Sequence, residues 1–180
     1  MIYNYSEVLE KYGTDYSLRK VMENEEIYKV SKGLYSDIPN VNYLSIITKK
    51  YPYGVICGLS AYYYYGFTEV IPNYIYVCTL PNATRIKNNE IKQVRMIEKL
   101  YNLGITSYVY DGVEIKIYNK ERLLIDLVRN KNSMGYDLYK EIIVNYRKIL
   151  DTIDMSLIEE YLGKFDDGDR LYKILLTEVF

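Results

Sequence analysis

The sequence predicts an α+β fold in two parts, and three observations carry that prediction. The first forty residues read helix, helix, hairpin. Residues 41 to 118 alternate short strands with short helices. From 120 onward, apolar residues recur at i, i+3 and i+4 with no further strand signal. A chain of 180 residues, 49% hydrophobic and 26% charged with four prolines, suffices for a small domain attached to a medium one. Helix, helix, hairpin is the order of a winged helix-turn-helix. The expected division is therefore 1–39 for that unit and 40–180 for a mixed α/β domain with a helical C-terminal end.

In the first part, SEVLEKY puts Val8, Leu9 and Tyr12 on one face, with Ser6 as the expected N-cap and Gly13 as the stop. Thr14 or Asp15 caps a second helix. Its Leu18, Val21 and Met22 point inward, leaving Tyr16, Ser17, Arg19, Lys20 and Glu23 outside. IYKVSKGLYS then folds back at Lys32-Gly33, where glycine supplies the positive φ of a tight turn. Only two helices precede this hairpin, whereas many winged domains use three, and Met1–Tyr5 is too short to supply another. Pro39 and Asn40 break the pattern and mark the boundary.

In the second part, residues 41–50 read as a helix with Val41, Leu44 and Ile47 buried. YGVICG reads as a short strand, LSAYYYYG as a helix closed by Gly66, and NYIYVCTL as a strand leading into the polar loop PNATRIKNNE. Strand signals follow at 91–97 and 105–110. Asp111-Gly112 between alternating segments marks a hairpin in SYVYDGVEIKIYN. The rest is helical: LLIDLVR, residues 136–149, and two helices starting near 155 and 169. With 24 tyrosines, three phenylalanines and no tryptophan, tyrosine must supply most large aromatic packing, and many phenols are expected half-buried with the hydroxyl outward.

Composition excludes much chemistry. Histidine is absent, which removes Ser-His-Asp and Cys-His nucleophiles and the commonest metal ligand. There is no P-loop and no G-x-G-x-x-G after a predicted strand. Cys57 and Cys78 lie in apolar surroundings without C-x-x-C spacing and read as buried thiols of a reducing cytoplasm. No apolar run approaches the length of a membrane span, and the N-terminus lacks the pattern of a signal peptide. Neither a membrane partner, a metal nor a cofactor is expected.

GLSAYYYYG at 58–66 resembles the opening of a nucleotidyltransferase core, in which a glycine-serine turn leads into a helix and the next strand presents paired carboxylates for Mg²⁺. Here Asn73, Tyr74, Ile75 and Tyr76 occupy that strand, so the core is expected to be non-catalytic. Ser60 is then expected to be a helix N-cap.

Two basic patches remain. Arg19, Lys20, Lys29 and Lys32, with the hydroxyls of Tyr16 and Ser17, form the expected DNA-binding face: a helix for the major groove and a hairpin tip for a phosphate. Residues 1–50 hold seven cations and seven anions, so useful affinity calls for a homo-oligomer or cooperative binding. Arg85, Lys87, Lys92 and Arg95 form a secondary patch in the larger part. Residues 1–150 carry 20 Lys and Arg against 16 acids, and residues 151–180 carry 3 against 8, which marks the last thirty residues as an acidic surface.

Taken in order, KGLYS at 32–36, YPYGVICGLSAYYYYGFTEVIP at 51–72, IYVCTLP, and IYNKERLLIDLVRN at 117–130 resemble the AbiEi antitoxin family. The match spans most of the chain. The resemblance implies a bacterial antitoxin of a toxin-antitoxin or abortive-infection system. Such a protein represses its own operon through the winged helix and counteracts a nucleotidyltransferase-like toxin, with or without direct contact. Lys32, Gly33, Tyr35 and the second helix carry over to the family pattern. Two alternatives stay open on the residues alone: a protein-interaction module using the acidic C-terminal helices, and a residual nucleotidyltransferase.

Overall fold

A computed structural model describes all 180 residues as nine α-helices, two short 3-10 turns and eight strands in two sheets. The chain divides into two compact units, Met1–Tyr53 with Val109–Ile115, and Gly54–Tyr108 with Lys116–Phe180. No helix is long and apolar enough to cross a membrane.

The first unit begins with a strand that the sequence hides. β1 (Ile2–Asn4) pairs antiparallel with β3 (Leu34–Ser36), which also pairs with β2 (Tyr28–Ser31), giving the order β1-β3-β2. Three residues are too few to display a period, so the pairing comes from β3. Helices α1 (Tyr5–Tyr12) and α2 (Asp15–Glu23) follow β1 with two residues between them.

The N-cap of α1 is Asn4 rather than Ser6. Asn4 Oδ1 accepts the Glu7 N–H at 3.0 Å and the Asn4 N–H donates to the Glu7 carboxylate at 2.7 Å, a reciprocal capping box. Thr14 caps α2 as expected, accepting the Ser17 N–H at 3.2 Å. Val8, Leu18, Ile27 and Tyr35 form the core of this unit, with Tyr3, Tyr12, Val21 and Met22 packed around it. The hairpin turn is at Gly33, whose φ of 75° is open only to residues that tolerate the left-handed region.

α3 (Tyr43–Lys50) belongs to the first unit, so the division falls after Tyr53 and not at Pro39-Asn40. The physical reason is burial. Leu44 and Ile47 need an apolar face, α3 packs on β1, and Lys49 ties it to Glu7 at 2.7 Å.

β4 (Val55–Ile56) lies at the middle of a five-stranded sheet that belongs to the second unit except for the tip of its last hairpin, Val109–Ile115. Its order is β6 (Ile91–Arg95), β5 (Ile75–Thr79), β4, β8 (Val113–Tyr118), β7 (Ile105–Tyr110). β4 runs antiparallel to β5 and parallel to β8, and β5 is parallel to β6. The hairpin expected at Asp111-Gly112 is present, with φ of 49° and 73° at its two central residues.

α4 (Gly58–Tyr64) connects β4 to β5, and α5 (Glu98–Tyr101) is a single turn without a sequence signal of its own. α6 (Lys120–Arg129) is the centre of this unit: residues 121–128 are all buried and only its ends reach solvent. A helix buried all round needs cover on every side. It packs against α4, α8 (Met155–Leu162) and α9 (Gly168–Glu178), while α7 (Tyr136–Arg147) adds Ile142, Ile143 and Tyr146 to the core.

Many tyrosines are half-buried as expected, Tyr3, Tyr12, Tyr28, Tyr65 and Tyr108 among them, but others depart from that pattern. Tyr62, Tyr118 and Tyr146 are fully buried rather than turned outward. Their hydroxyls donate to the carbonyls of Leu123 (3.0 Å), Tyr101 (2.9 Å) and Lys120 (3.1 Å), which removes the cost of burying a phenol. Burial holds the Tyr62 and Tyr146 phenols well above their ordinary range. Ser60 also differs from its expected role. It sits inside α4, where its Oγ donates to the Tyr74 carbonyl at 3.1 Å and accepts the Tyr76 N–H at 2.9 Å, clamping the helix to the strand. Cys57 and Cys78 are buried, free thiols.

Candidate nucleic-acid interface

The α1–α2 turn is made by two residues with opposite tasks. Gly13 takes a φ of 91° and its N–H closes on the Leu9 carbonyl, while Thr14 is extended and caps α2. With Leu18 buried, Tyr16, Arg19 and Lys20 project outward and are exposed. The Lys20 ammonium lies over the Tyr16 ring at 4.8 Å. Ser17 is half-buried, its hydroxyl 3.1 Å from that of Thr14, which makes it part of the cap as much as of the face. The Tyr5 hydroxyl donates to Asp15 beneath this face, and that hydrogen bond raises the phenol pKa.

Lys29 and Lys32 lie on the hairpin, and both are exposed. Lys29 stands opposite Tyr35, and Tyr35 stands opposite Tyr3. Directly opposed residues share a face, so the Lys29 stem leaves the edge strand on the side where Tyr35 meets the helices. Lys32 is at the turn itself. None of Arg19, Lys20, Lys29 and Lys32 is in an ion pair. By contrast, the Lys49 ammonium beside Glu7 and the Asn4 N–H hold that carboxyl below its ordinary value.

The secondary patch is also brought together. Arg85, Lys87, Lys92 and Arg95 line one recess of about 880 Å³ on the edge strand β6, and no acid lines it. Gln93 organises the wall: its side-chain oxygen accepts the Ile86 N–H at 2.9 Å and its nitrogen donates to Thr79 Oγ1 at 2.9 Å and to the Thr84 carbonyl at 3.2 Å. The loop 80–90 is thus tied to the sheet.

The sequence missed a cleft of about 800 Å³ in the same unit. Lys92 and Arg95 line it from β6, Arg129 from the end of α6 and Arg170 from α9, with Asp126 and Tyr76 inside. Asp126 forms a buried pair with Arg122, whose Nε donates to Oδ2 at 3.1 Å. Asp126 Oδ1 and Arg122 Nη2 are buried without hydrogen-bond partners. The available signal was charge inside an apolar helix: Arg122 and Asp126 interrupt RLLIDLV where the stripe should be uniform.

Asn73 to Tyr76 lead into and begin β5, next to the Ser60 clamp, and no three Cys, Asp or Glu side chains gather in a metal-holding cluster anywhere in the chain. The acidic end is integrated into the fold. Ile158, Leu171 and Leu175 are buried, while Asp166 pairs with Lys99, Asp167 with Arg170, and Glu178 with Lys131.

No protein-family model matches the chain, and no curated protein matches it. Among solved structures, the Rv2827c protein from Mycobacterium tuberculosis is similar, with a TM-score of 0.66 at 14% sequence identity over 99% of this chain and 72% of that one. At that identity the likeness is one of fold.

Proposed function

We propose that the chain is a DNA-binding autorepressor and antitoxin, with a winged helix-turn-helix in the first unit as its reading head. The observation that carries this is the arrangement of α1, Gly13-Thr14, α2 and the β2–β3 hairpin on a three-stranded sheet, exposing four cations that are in no ion pair. α2 supplies a groove-entering face in Tyr16, Ser17, Arg19 and Lys20; Lys29 and Lys32 supply phosphate contacts. β1 completes the sheet that supports the wing, and α3 adds the third helix to the unit, after the hairpin and not before it.

The antitoxin half rests on the resemblance to the AbiEi family. It assigns the protein to the bacterial cytoplasm, its own promoter DNA as ligand, and a nucleotidyltransferase-like toxin as the activity it counters. The second unit is non-catalytic on this reading, because the strand after GLSAYYYYG carries asparagine, tyrosine and isoleucine where metal-binding acids would stand.

The test is binding of the full chain to DNA upstream of its own gene across a salt series. Each phosphate contact contributes about 0.9 to the slope of log affinity against log salt. Arg19→Ala with Lys32→Ala should reduce the magnitude of that slope by about 0.9, from the Lys32 phosphate contact, and weaken binding further through the lost groove contact. An unchanged affinity and slope would refute this face. Robust nucleotide transfer to tRNA by the purified protein would refute the non-catalytic assignment.

A further inference from the structure

We propose that the cleft lined by Asp126, Arg129 and Lys92 in the second unit is a binding site for a phosphorylated nucleoside. This is independent of the DNA-binding reading of the first unit and uses none of that unit's residues; Lys92 and Arg95 are shared with the secondary basic patch. The cleft volume of about 800 Å³ suits a ligand of nucleotide size.

Its chemistry is graded from rim to floor. Lys92, Arg95 and Arg129 are exposed at the rim and none is in an ion pair, so three cations face one opening, with only Arg129 acting at longer range on Asp126 and Asp166. Arg170 completes the rim but is held by Asp167. Phosphate oxygens match this set, since guanidinium and ammonium groups bind them through charge-assisted hydrogen bonds. Below the rim the lining is aromatic and aliphatic, with Tyr76 half-buried under Lys92 at 5.2 Å and Leu59, Val94 and Leu138 around it. Such a floor accepts the flat face of a base.

A buried carboxyl group gives the ligand its polarity. Asp126 is a buried lining residue, and its Oδ1 has no hydrogen-bond partner within the protein. Buried polar atoms are nearly always satisfied, and this exception, in a residue that lines the cleft, is accounted for by a ligand donor toward which the carboxyl turns. An N–H of a nucleobase meets that requirement while the phosphates stay among the rim cations. A simple inorganic anion does not, because it would bring a second negative charge toward the carboxylate.

Isothermal titration of the full chain with ATP, GTP, CTP and UTP, and with inorganic tripolyphosphate, tests this. The expected result is saturable binding of at least one nucleotide with Kd below ~1 mM and tighter than tripolyphosphate. Lys92→Glu with Arg129→Glu, both exposed and checked for folding by circular dichroism because Arg129 lies over the Phe165 ring at 5.4 Å, should weaken that binding at least about tenfold. Arg85→Glu with Lys87→Glu, in the neighbouring recess alone, should leave it unchanged. Asp126→Asn, checked for folding by circular dichroism, should narrow the spread of affinity among the four bases. The proposal is overturned if no nucleotide saturates below that limit, if tripolyphosphate binds as tightly as every nucleotide, or if the Lys92/Arg129 variant binds as the parent does.

Discussion

Arg122→Met is the substitution whose consequence the structure defines most sharply. Arg122 is fully buried, donates to Asp126 Oδ2 and to the carbonyls of Leu100 and Leu103, and lies over the Tyr118 and Phe165 rings at 4.8 and 5.2 Å. Methionine replaces much of the aliphatic stem but none of the donors. Asp126 is then left as a buried carboxylate without a counter-charge, a change that costs ~3–5 kcal/mol in comparable buried pairs. With a urea m-value of ~2 kcal/mol/M, the unfolding midpoint should fall by roughly 1.5–2.5 M.

The pH dependence follows from the same group. Burial already holds the Asp126 carboxyl above its ordinary value of 3.8, and Arg122 acts in the opposite direction. Removing Arg122 raises the folded-state pKa further while the unfolded value stays put. The folded variant then binds more protons than the unfolded one between those two values, so its deficit should shrink as pH falls through the folded pKa. A companion Asp126→Leu should recover at least ~2 kcal/mol of the loss, because it removes the stranded charge. Equilibrium urea unfolding of both single variants and the double variant decides the matter. If Arg122→Met costs less than ~1 kcal/mol, or if the double variant is no more stable than Arg122→Met, the buried pair does not hold this helix in the way argued.

Other outcomes are expected in each unit. Asn4→Ala removes the capping box of α1 and should cost about 1 kcal/mol by thermal or urea unfolding. Glu7 has a lowered carboxyl pKa through Lys49 and the Asn4 N–H, so its contribution to the first unit is present above the ordinary value of 4.5 and is lost as pH falls through the folded value below it. Acid titration of Glu7→Gln against the parent should show that loss in the parent alone. Tyr146→Phe deletes the hydrogen bond to the Lys120 carbonyl and should cost ~0.5–1.5 kcal/mol. Tyr146→Ala also deletes the stack on Phe67, whose ring centroid is 4.1 Å away, and should cost ~3–5 kcal/mol.

Local signals were legible in the residues because the physics that produces them is local. Gly13, Thr14 and Gly33 mark backbone conformations that the chain must adopt over two or three residues, and the structure places a helix end, a cap and a turn there. The i, i+3, i+4 spacing of Leu18, Val21 and Met22 likewise returns as one packed face. Among the functional candidates, the exposure of Arg19, Lys20, Lys29 and Lys32 follows from that same periodicity. The convergence of Arg85, Lys87, Lys92 and Arg95 on one recess does not, since it depends on Gln93 pinning a loop.

By itself, then, the sequence determined the α+β class, the helix-helix-hairpin opening, the Asp111-Gly112 hairpin and the helical end, each through a periodicity or a turn residue acting over a few positions. Tertiary structure alone decided what depends on partners distant in the chain. β1 is a strand because β3 offers it an edge, and α3 joins the first unit because Leu44 and Ile47 find cover there. Ser60 clamps a strand because the Tyr74 carbonyl and Tyr76 N–H come within reach. The cleft exists because α6 carries Asp126 and Arg129 to the cations of β6. Burial and charge compensation are sums over neighbours in space, and no window of sequence contains those neighbours.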